Sequence, residues 1–356
     1  MTVVRERHED FGAVFDGEDV LPAHYGRPGR THEAVRRLAG VREAAHGVLS
    51  VTGEDRHEFV DDTVSNAVPD SEGEGCYALL LDPDGTIEAD LYCFATGDRL
   101  LLFTPRGRAE TIAEEWRDRT FIQDVEIAVD TDEFGVFEVH GPKATEKVAS
   151  VLGGPGTPEE PLSFVRGRVR EVGVTVIRGD ALAGEESYAV VCAAGDASEV
   201  FDALVTHGLN AVPFGRETYR ALTLEAGTPL FDTELAGTLP NELGLRNAVD
   251  FEKGCFVGQE VVSRIENRGR APRRLVGLVP RRLPDPGAAV HADGEAVGAV
   301  TRATTSPHLD EHLALALVDA GASPDAVEVG RRTVAAEGRE LPFLEGSERS
   351  ARLPTY

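Results

Sequence analysis

Lysine is nearly absent from this sequence of 356 residues: Lys143, Lys147 and Lys253 are the only three, and the other 33 of 36 basic residues are arginine. Acids dominate, with 62 Asp plus Glu and a formal net charge of −26. The imbalance argues against a broad basic face of the kind that nucleic-acid phosphates select, so no direct nucleic-acid binding is expected. A local basic site remains compatible with it. An acidic, lysine-poor surface stays hydrated in concentrated salt, where the Debye length falls to about 3 Å at 1 M. The depletion of lysine favours a salt-adapted, halophilic cytoplasm over an acidic mesophilic protein.

Cysteine is also scarce. Cys76, Cys93, Cys192 and Cys255 form no C-x-x-C pair. That argues against a zinc ribbon, a thioredoxin site or a disulfide scaffold, and the default for each is a buried thiol. Long hydrophobic runs are missing too. No stretch reaches the roughly 18 apolar residues of a membrane span, and residues 1–10 lack a signal-peptide core. A soluble, cytoplasmic protein with no membrane partner is expected, and no internal repeat or low-complexity run is evident.

What remains is enough for a real core: 41% of residues are hydrophobic and 28% charged. The length suggests two or three domains. Residues 31–45 read as a helix, 48–51 as a strand, and Gly53-Glu54-Asp55 as the cap of a helix carrying Phe59 and Val60. Strands follow at 76–81, 87–94 and 100–104, the first two joined by the turn Asp82-Pro83-Asp84-Gly85. An amphipathic helix spans 107–118, strands 125–129 and 135–140, and a helix 142–152. Gly153 to Glu160 reads as a loop, since it lacks the Gly-Lys-Ser/Thr end of a phosphate cradle. Strands at 172–178 and 188–192 flank Gly184-Glu185-Glu186, and 197–208 is helical. From Val276 to Phe343 short strands separated by Gly and Pro predict a small all-β domain, with a boundary near Arg270-Ala271-Pro272.

The most specific segment is Asp250-Phe-Glu-Lys-Gly-Cys-Phe-Val-Gly-Gln-Glu260. Lys253 stands two residues from Cys255, and a nearby ammonium would enlarge the thiolate fraction. Retaining lysine here, where arginine is otherwise used, suggests a need for a compact ammonium. The spacing fits a tight glycine turn around an inert, buried cysteine equally well. His308 and His312 have i, i+4 spacing, but Pro307 and the β-rich context favour surface or barrel histidines over metal ligands. His140 reads as a packed turn residue. Arg264, Arg268, Arg270, Arg273 and Arg274 form a basic cluster that suits either an anionic ligand or ion pairing with neighbouring acids.

The run Lys253-Gly-Cys-Phe-Val-Gly-Gln-Glu260 resembles the Lys-Gly-Cys-aromatic-x-Gly-Gln-Glu signature of the YgfZ-type folate-binding proteins. These are relatives of the glycine-cleavage T-protein, an aminomethyltransferase. Resemblance to the wider superfamily extends over nearly the whole chain, through Leu49–Asp55 with Val64-Ser-Asn66, Tyr77–Phe94, Glu138–Lys143, Leu222–Phe231, Pro240–Leu245 and Leu313–Val318.

The resemblance implies an α+β fold: a three-subdomain ring with mixed and antiparallel sheets and a C-terminal β-barrel. Residues 1–270 would form two interleaved folate-binding subdomains and 271–356 the barrel domain. It implies tetrahydrofolate or a related reduced pterin in a central channel. By motif, Glu185 with its neighbour Glu186 matches the carboxylate that answers the pterin's paired donor edge, Asp90 lies near the one-carbon centre, and Asn66 bonds folate or caps a turn. Gln259 and Arg264 join this set, with the arginine cluster as a candidate for the folate glutamate tail. Lys253 and Cys255 would supply a reactive or partner-facing thiol. Two departures stand out. The Tyr-Thr of the T-protein Gly-Tyr-Thr-Gly-Glu-Asp-Gly motif is missing, and Tyr219 and Thr223 replace its arginine pair. The implied function is a folate-binding accessory of the YgfZ type that supports iron–sulfur proteins or their assembly factors. The alternative is a folate-dependent aminomethyltransferase or a related demethylase.

Overall fold

The computed structural model describes residues 4–17, 20–120 and 122–356; the side chain of Arg268 lies outside the described residues. The chain is α+β and builds two sheets and a closed barrel. The first sheet is antiparallel, with strands in the order Gly75–Leu81, Ile87–Ala95, Leu100–Pro105, His46–Thr52 and Glu126–Val129. Its alternation serves two cores, because successive side chains point to opposite faces. Ala78, Leu80, Leu91 and Cys93 pack under helices Arg56–Thr63 and Ala109–Arg117 around Trp116, while Tyr77, Leu79 and Leu81 face the other side. The turn between its first two strands needs Gly85 at φ +80°, a left-handed conformation that glycine adopts without steric cost.

The second sheet has the order Val212–Pro213, Gly40–Glu43, Phe134–His140, Ser187–Ala193, Val172–Arg178, Phe164–Val169 and Leu152–Gly153. Only its Val212–Pro213 pairing is parallel. Helices Ala144–Ala149 and Ala197–Thr206 cover the outer face through Val148, Val200, Phe201 and Leu204. The first sheet is inserted between strands Gly40–Glu43 and Phe134–His140 of the second.

That insertion corrects the helix expected over 31–45. The helix runs Pro28–Arg37, and Gly40–Glu43 is a strand paired with Phe134–His140. Tertiary pairing overrides the local helical pattern here. Gly40 also has no room for a side chain: a Cβ would lie 2.5 Å from Val35 and 2.6 Å from Phe214.

The barrel closes through Arg273–Pro280, Glu311–Asp319, Glu295–Ser306, Ala289–Ala292, Ala326–Val329 and Arg332–Arg339. Leu278, Val290, Val300, Ala316 and Val318 fill it. Residues after the barrel then return to the sheets. Leu344 N donates to Glu225 O, Ser347 bonds Glu185, and Tyr356 OH donates to Glu242 O. No helix among the described residues is long and apolar enough to cross a membrane.

Candidate active site in the central cavity

The inner faces of the two sheets, helix Arg216–Glu225, the segment Leu230–Asp232 and Arg352 of the C-terminal tail enclose a cavity of about 370 Å³. Phe94, Phe103, Val136, Leu162 and Ile177 make one side apolar. Two polar clusters interrupt that lining.

The first cluster centres on Arg352, which is buried. Its Nη1 meets Asp90 Oδ2 at 2.8 Å, and its Nη2 donates to Tyr92 OH at 2.6 Å. Tyr92 OH donates in turn to Asp180 Oδ2 at 2.6 Å, and Tyr77 OH to Asp90 Oδ2 at 3.3 Å. The guanidinium lies 4.2 Å from the Tyr77 ring centroid. Burial works against its charge, but Tyr77, Tyr92, Asp90 and Asp180 together hold the Arg352 pKa well above the ordinary arginine value. Burial pushes Asp180 up, against the pull of Arg352 and the Tyr92 hydrogen bond. Asp90 Oδ1 makes no hydrogen bond among the described residues.

The second cluster is built on strand Phe134–His140. Period-two alternation puts Val136, Glu138 and His140 on the cavity face and Phe137 and Val139 in the outer core. Glu138 Oε2 accepts from Arg42 and, at 3.0 Å, from His140 Nε2; His46 Nε2 lies 3.5 Å from Oε1. Burial alone would raise Glu138, but Arg42, His140 and His46 hold it well below the usual carboxylate range. Arg42 stacks 3.9 Å from the centroid of the Tyr219 ring. Nε of Arg352 and Nδ1 of His140 are buried with no hydrogen-bond partner among the described residues. Such orphaned polar atoms in a cavity wall suit a polar ligand.

Of the residues singled out in the sequence, the cavity gathers Asp90 and Tyr219. Glu185 is buried outside its lining. Arg36 Nη1 donates to Glu185 Oε1 at 2.9 Å, and the backbone N and Oγ of Ser347 both donate to Oε2. Glu186 accepts from Thr145 Oγ1 at 2.6 Å. Asn66 Nδ2 donates to Tyr77 O and Asn247 O, which fixes a chain crossing. Gln259 opens helix Gln259–Arg268, its Nε2 donating to Gly254 O, and Arg264 is exposed on that helix.

Lys253 donates to the carbonyls of Asp61, Val64 and Asn66 and pairs with Asp61 at 3.2 Å. Its ammonium satisfies the open carbonyls at the end of helix Arg56–Thr63, the favourable end for a cation. This anchors the loop and leaves Cys255 exposed; with Cys76 half-buried, the default of a buried thiol holds only for Cys93 and Cys192. In the basic cluster, Arg273 bonds Glu242 and Arg274 bonds Ala322 O. His308 lies in a turn and His312 starts a barrel strand, and no metal-holding cluster of His, Cys, Asp or Glu exists among the described residues.

Sequence reasoning missed Arg42, His46, Tyr92, Glu138, Asp180 and Arg352, and it read His140 as a turn residue. The alternation Val136-Phe-Glu138-Val-His140 carried a usable signal, because two polar residues recur at period two in an apolar strand. Arg352 had none.

A half-apolar cavity at a sheet–sheet junction, with an arginine-anchored aspartate in its wall, has the lining typical of small-molecule sites. Residues 5–253 match the family described as the GCVT N-terminal domain, and residues 273–345 the glycine cleavage T-protein C-terminal barrel domain. The chain belongs to the glycine cleavage T-protein family. It is 31% identical over 344 residues to an aminomethyltransferase of Streptomyces coelicolor, covering 92% of each chain. It is 29% identical over 339 residues to an aminomethyltransferase of Bacillus subtilis, covering 91% of this chain and 93% of that one. The crystal structure of glycine cleavage system aminomethyltransferase T from Bartonella henselae shares the fold, with a TM-score of 0.86 over 98% of both chains at 23% identity.

Proposed function

We propose that the protein is a tetrahydrofolate-dependent aminomethyltransferase of the T-protein type that works in the central cavity. The observation that carries this reading is Asp90. Its Oδ2 is fixed by Arg352 and Tyr77, and its Oδ1 makes no hydrogen bond among the described residues, in a cavity with one apolar side. The cavity residues fit a reduced folate: Phe94, Phe103 and Ile177 offer faces to a flat ring, and the orphaned His140 Nδ1 and Arg352 Nε await polar partners. Bound folate would supply the nitrogen that takes up the one-carbon unit. Asp90 then stabilises positive charge at the reacting centre and holds or moves a proton at Oδ1. Arg352 orients it. Asp180, which burial pushes up, accepts from Tyr92 and holds that hydroxyl in the same wall. Tyr219 holds Arg42 in place. Glu185 is a positioning residue, because it ties down Ser347 in the same tail that carries Arg352. Arg264 is assigned to an anionic partner at the surface.

The direct test is to supply an aminomethyl-lipoyl carrier protein with tetrahydrofolate and measure methylene-tetrahydrofolate and ammonia. Folate-dependent release of both is expected, and no release above a Asp90→Ala control would reject the transferase.

A second reading, the YgfZ-type accessory supporting iron–sulfur proteins, is favoured by one observation: the anchored loop presents Cys255 to solvent while its cavity is elsewhere. Burial pushes the Cys192 thiol up to about 12. Cys93 is buried and also held well above the ordinary value, first through its hydrogen bond with Cys76 and then through burial. A brief maleimide pulse on the native protein should therefore label Cys255 first, and Cys255→Ala should remove that rapid phase. If Cys255→Ala also fails to restore an iron–sulfur enzyme in a deletion strain, the accessory role gains over the transferase. Full restoration removes the thiol from it.

A further inference from the structure

A second cavity, of about 460 Å³ against about 370 Å³ for the central one, shares no lining residue with it. It lies where the helical turns Pro240–Glu242 and Arg246–Ala248, helix Gln259–Arg268 and the first barrel strand Arg273–Pro280 meet. Val262, Ile265 and Glu266 share one face of that helix, because residues three and four apart are neighbours. Val262 and Ile265 join Leu245, Val249 and Phe251 in an apolar floor. Gly269 then ends the helix at φ +134° and turns the chain, so that Arg270 lines the same cavity as Arg273 and Arg274.

Four arginines and one acid, Glu266, line this cavity, in a chain where acids outnumber basic residues 62 to 36. Arg246 is matched by Glu266 at 2.6 Å, and Arg273 by Glu242 at 2.7 Å. The other two carry the excess charge. Arg270 is exposed and pairs with no acid among the described residues. Arg274 Nη2 donates to a backbone carbonyl, Ala322 O, at 2.9 Å. Its buried Nε has no hydrogen-bond partner among the described residues, and neither has Asn241 Oδ1 in the same wall. Orphaned atoms of this kind suit a polar ligand. We propose that the second cavity binds an amphipathic anion: a small apolar body carrying a carboxylate or phosphate, seated on Val249, Val262 and Ile265 with its head group at Arg270 and Arg274. A guanidinium answers either head group with parallel N–H donors, and the floor takes the carbon body out of water. Junctions between domains are where such sites concentrate.

Calorimetry with 1-naphthoate, 1-naphthyl phosphate and the uncharged 1-naphthalenemethanol tests the site. The wild type should bind at least one of the anions about tenfold or more tightly than the alcohol. Arg270→Ser combined with Arg274→Gln should weaken that anion about 10- to 100-fold and leave the alcohol within about threefold. Arg270→Ser alone, at an exposed position, should cost at least about threefold, and it decides the matter if the double variant does not fold. Ala320→Trp, which fills the cavity from the barrel side and alters no charge, should remove one equivalent of anion binding. A wild type that binds neither anion better than the alcohol overturns the site, as does anion binding unchanged in the folded variants. The double variant should bind 5-formyltetrahydrofolate as the wild type does. A parallel loss of that ligand would give these arginines to the folate and overturn a separate site.

Discussion

Replacing Asp90 by asparagine is expected to lower folate-dependent transfer by about 10²- to 10⁴-fold, the range supplied by a positioned proton-transfer group. Asparagine keeps the shape and an acceptor for Arg352 and Tyr77, which together hold Oδ2. It removes the negative charge and the basic Oδ1. Folate affinity should stay within about threefold, because charge that matters in the transition state contributes little to ground-state binding. Single-turnover rates and calorimetry on the same preparation separate the two effects. A turnover within tenfold of wild type would take Asp90 out of the chemistry.

Replacing Arg352 by leucine should cost about 3–5 kcal/mol of stability, the scale for removing one partner of a buried ion pair. Arg352 and Asp90 side chains are only 4% and 8% exposed. Leucine would leave the buried Asp90 without its cation and Tyr92 without its donor, and it would strip the charge from over the Tyr77 ring. Urea midpoints measure the loss. It should persist at molar salt, where surface pairs are screened and buried ones are not. A loss below about 1 kcal/mol would mean that water replaces the guanidinium and that the tail is not a fixed wall of the cavity. Because Arg352 also orients Asp90, turnover should fall even in the fraction that remains folded.

Much of the architecture was legible locally. Hairpin signals at Asp82–Gly85 and the alternation in Cys76–Leu81 and Ile87–Phe94 predicted strands that the structure contains. Gly- and Pro-separated short strands after Val276 announced the barrel. The segment 31–45 failed because its composition suits a helix, while its backbone partners lie about a hundred residues or more away in Phe134–His140 and Val212–Pro213. Long-range pairing of that kind leaves no periodic trace in the segment itself.

The Lys253–Glu260 motif was visible as a motif, but its geometry was not. A lysine kept where arginine is otherwise used is legible in the sequence; that its ammonium caps helix Arg56–Thr63 is visible only in three dimensions. Glu185 shows the same limit. Its motif position singled it out, and burial against Arg36 and the tail set what its oxygens touch.

By itself the sequence determined the hairpin strands of the first sheet, the barrel and the family-like motifs, because these depend on composition and on neighbours within a few residues. Tertiary structure alone decided the cavity. Its walls come from strands, a helix and a tail separated by up to about three hundred residues, and a side chain's chemistry there follows from burial and from partners that no local pattern encodes. Arg352 is one arginine among many in the chain until the tail folds back and sets it between two aspartates and two tyrosines.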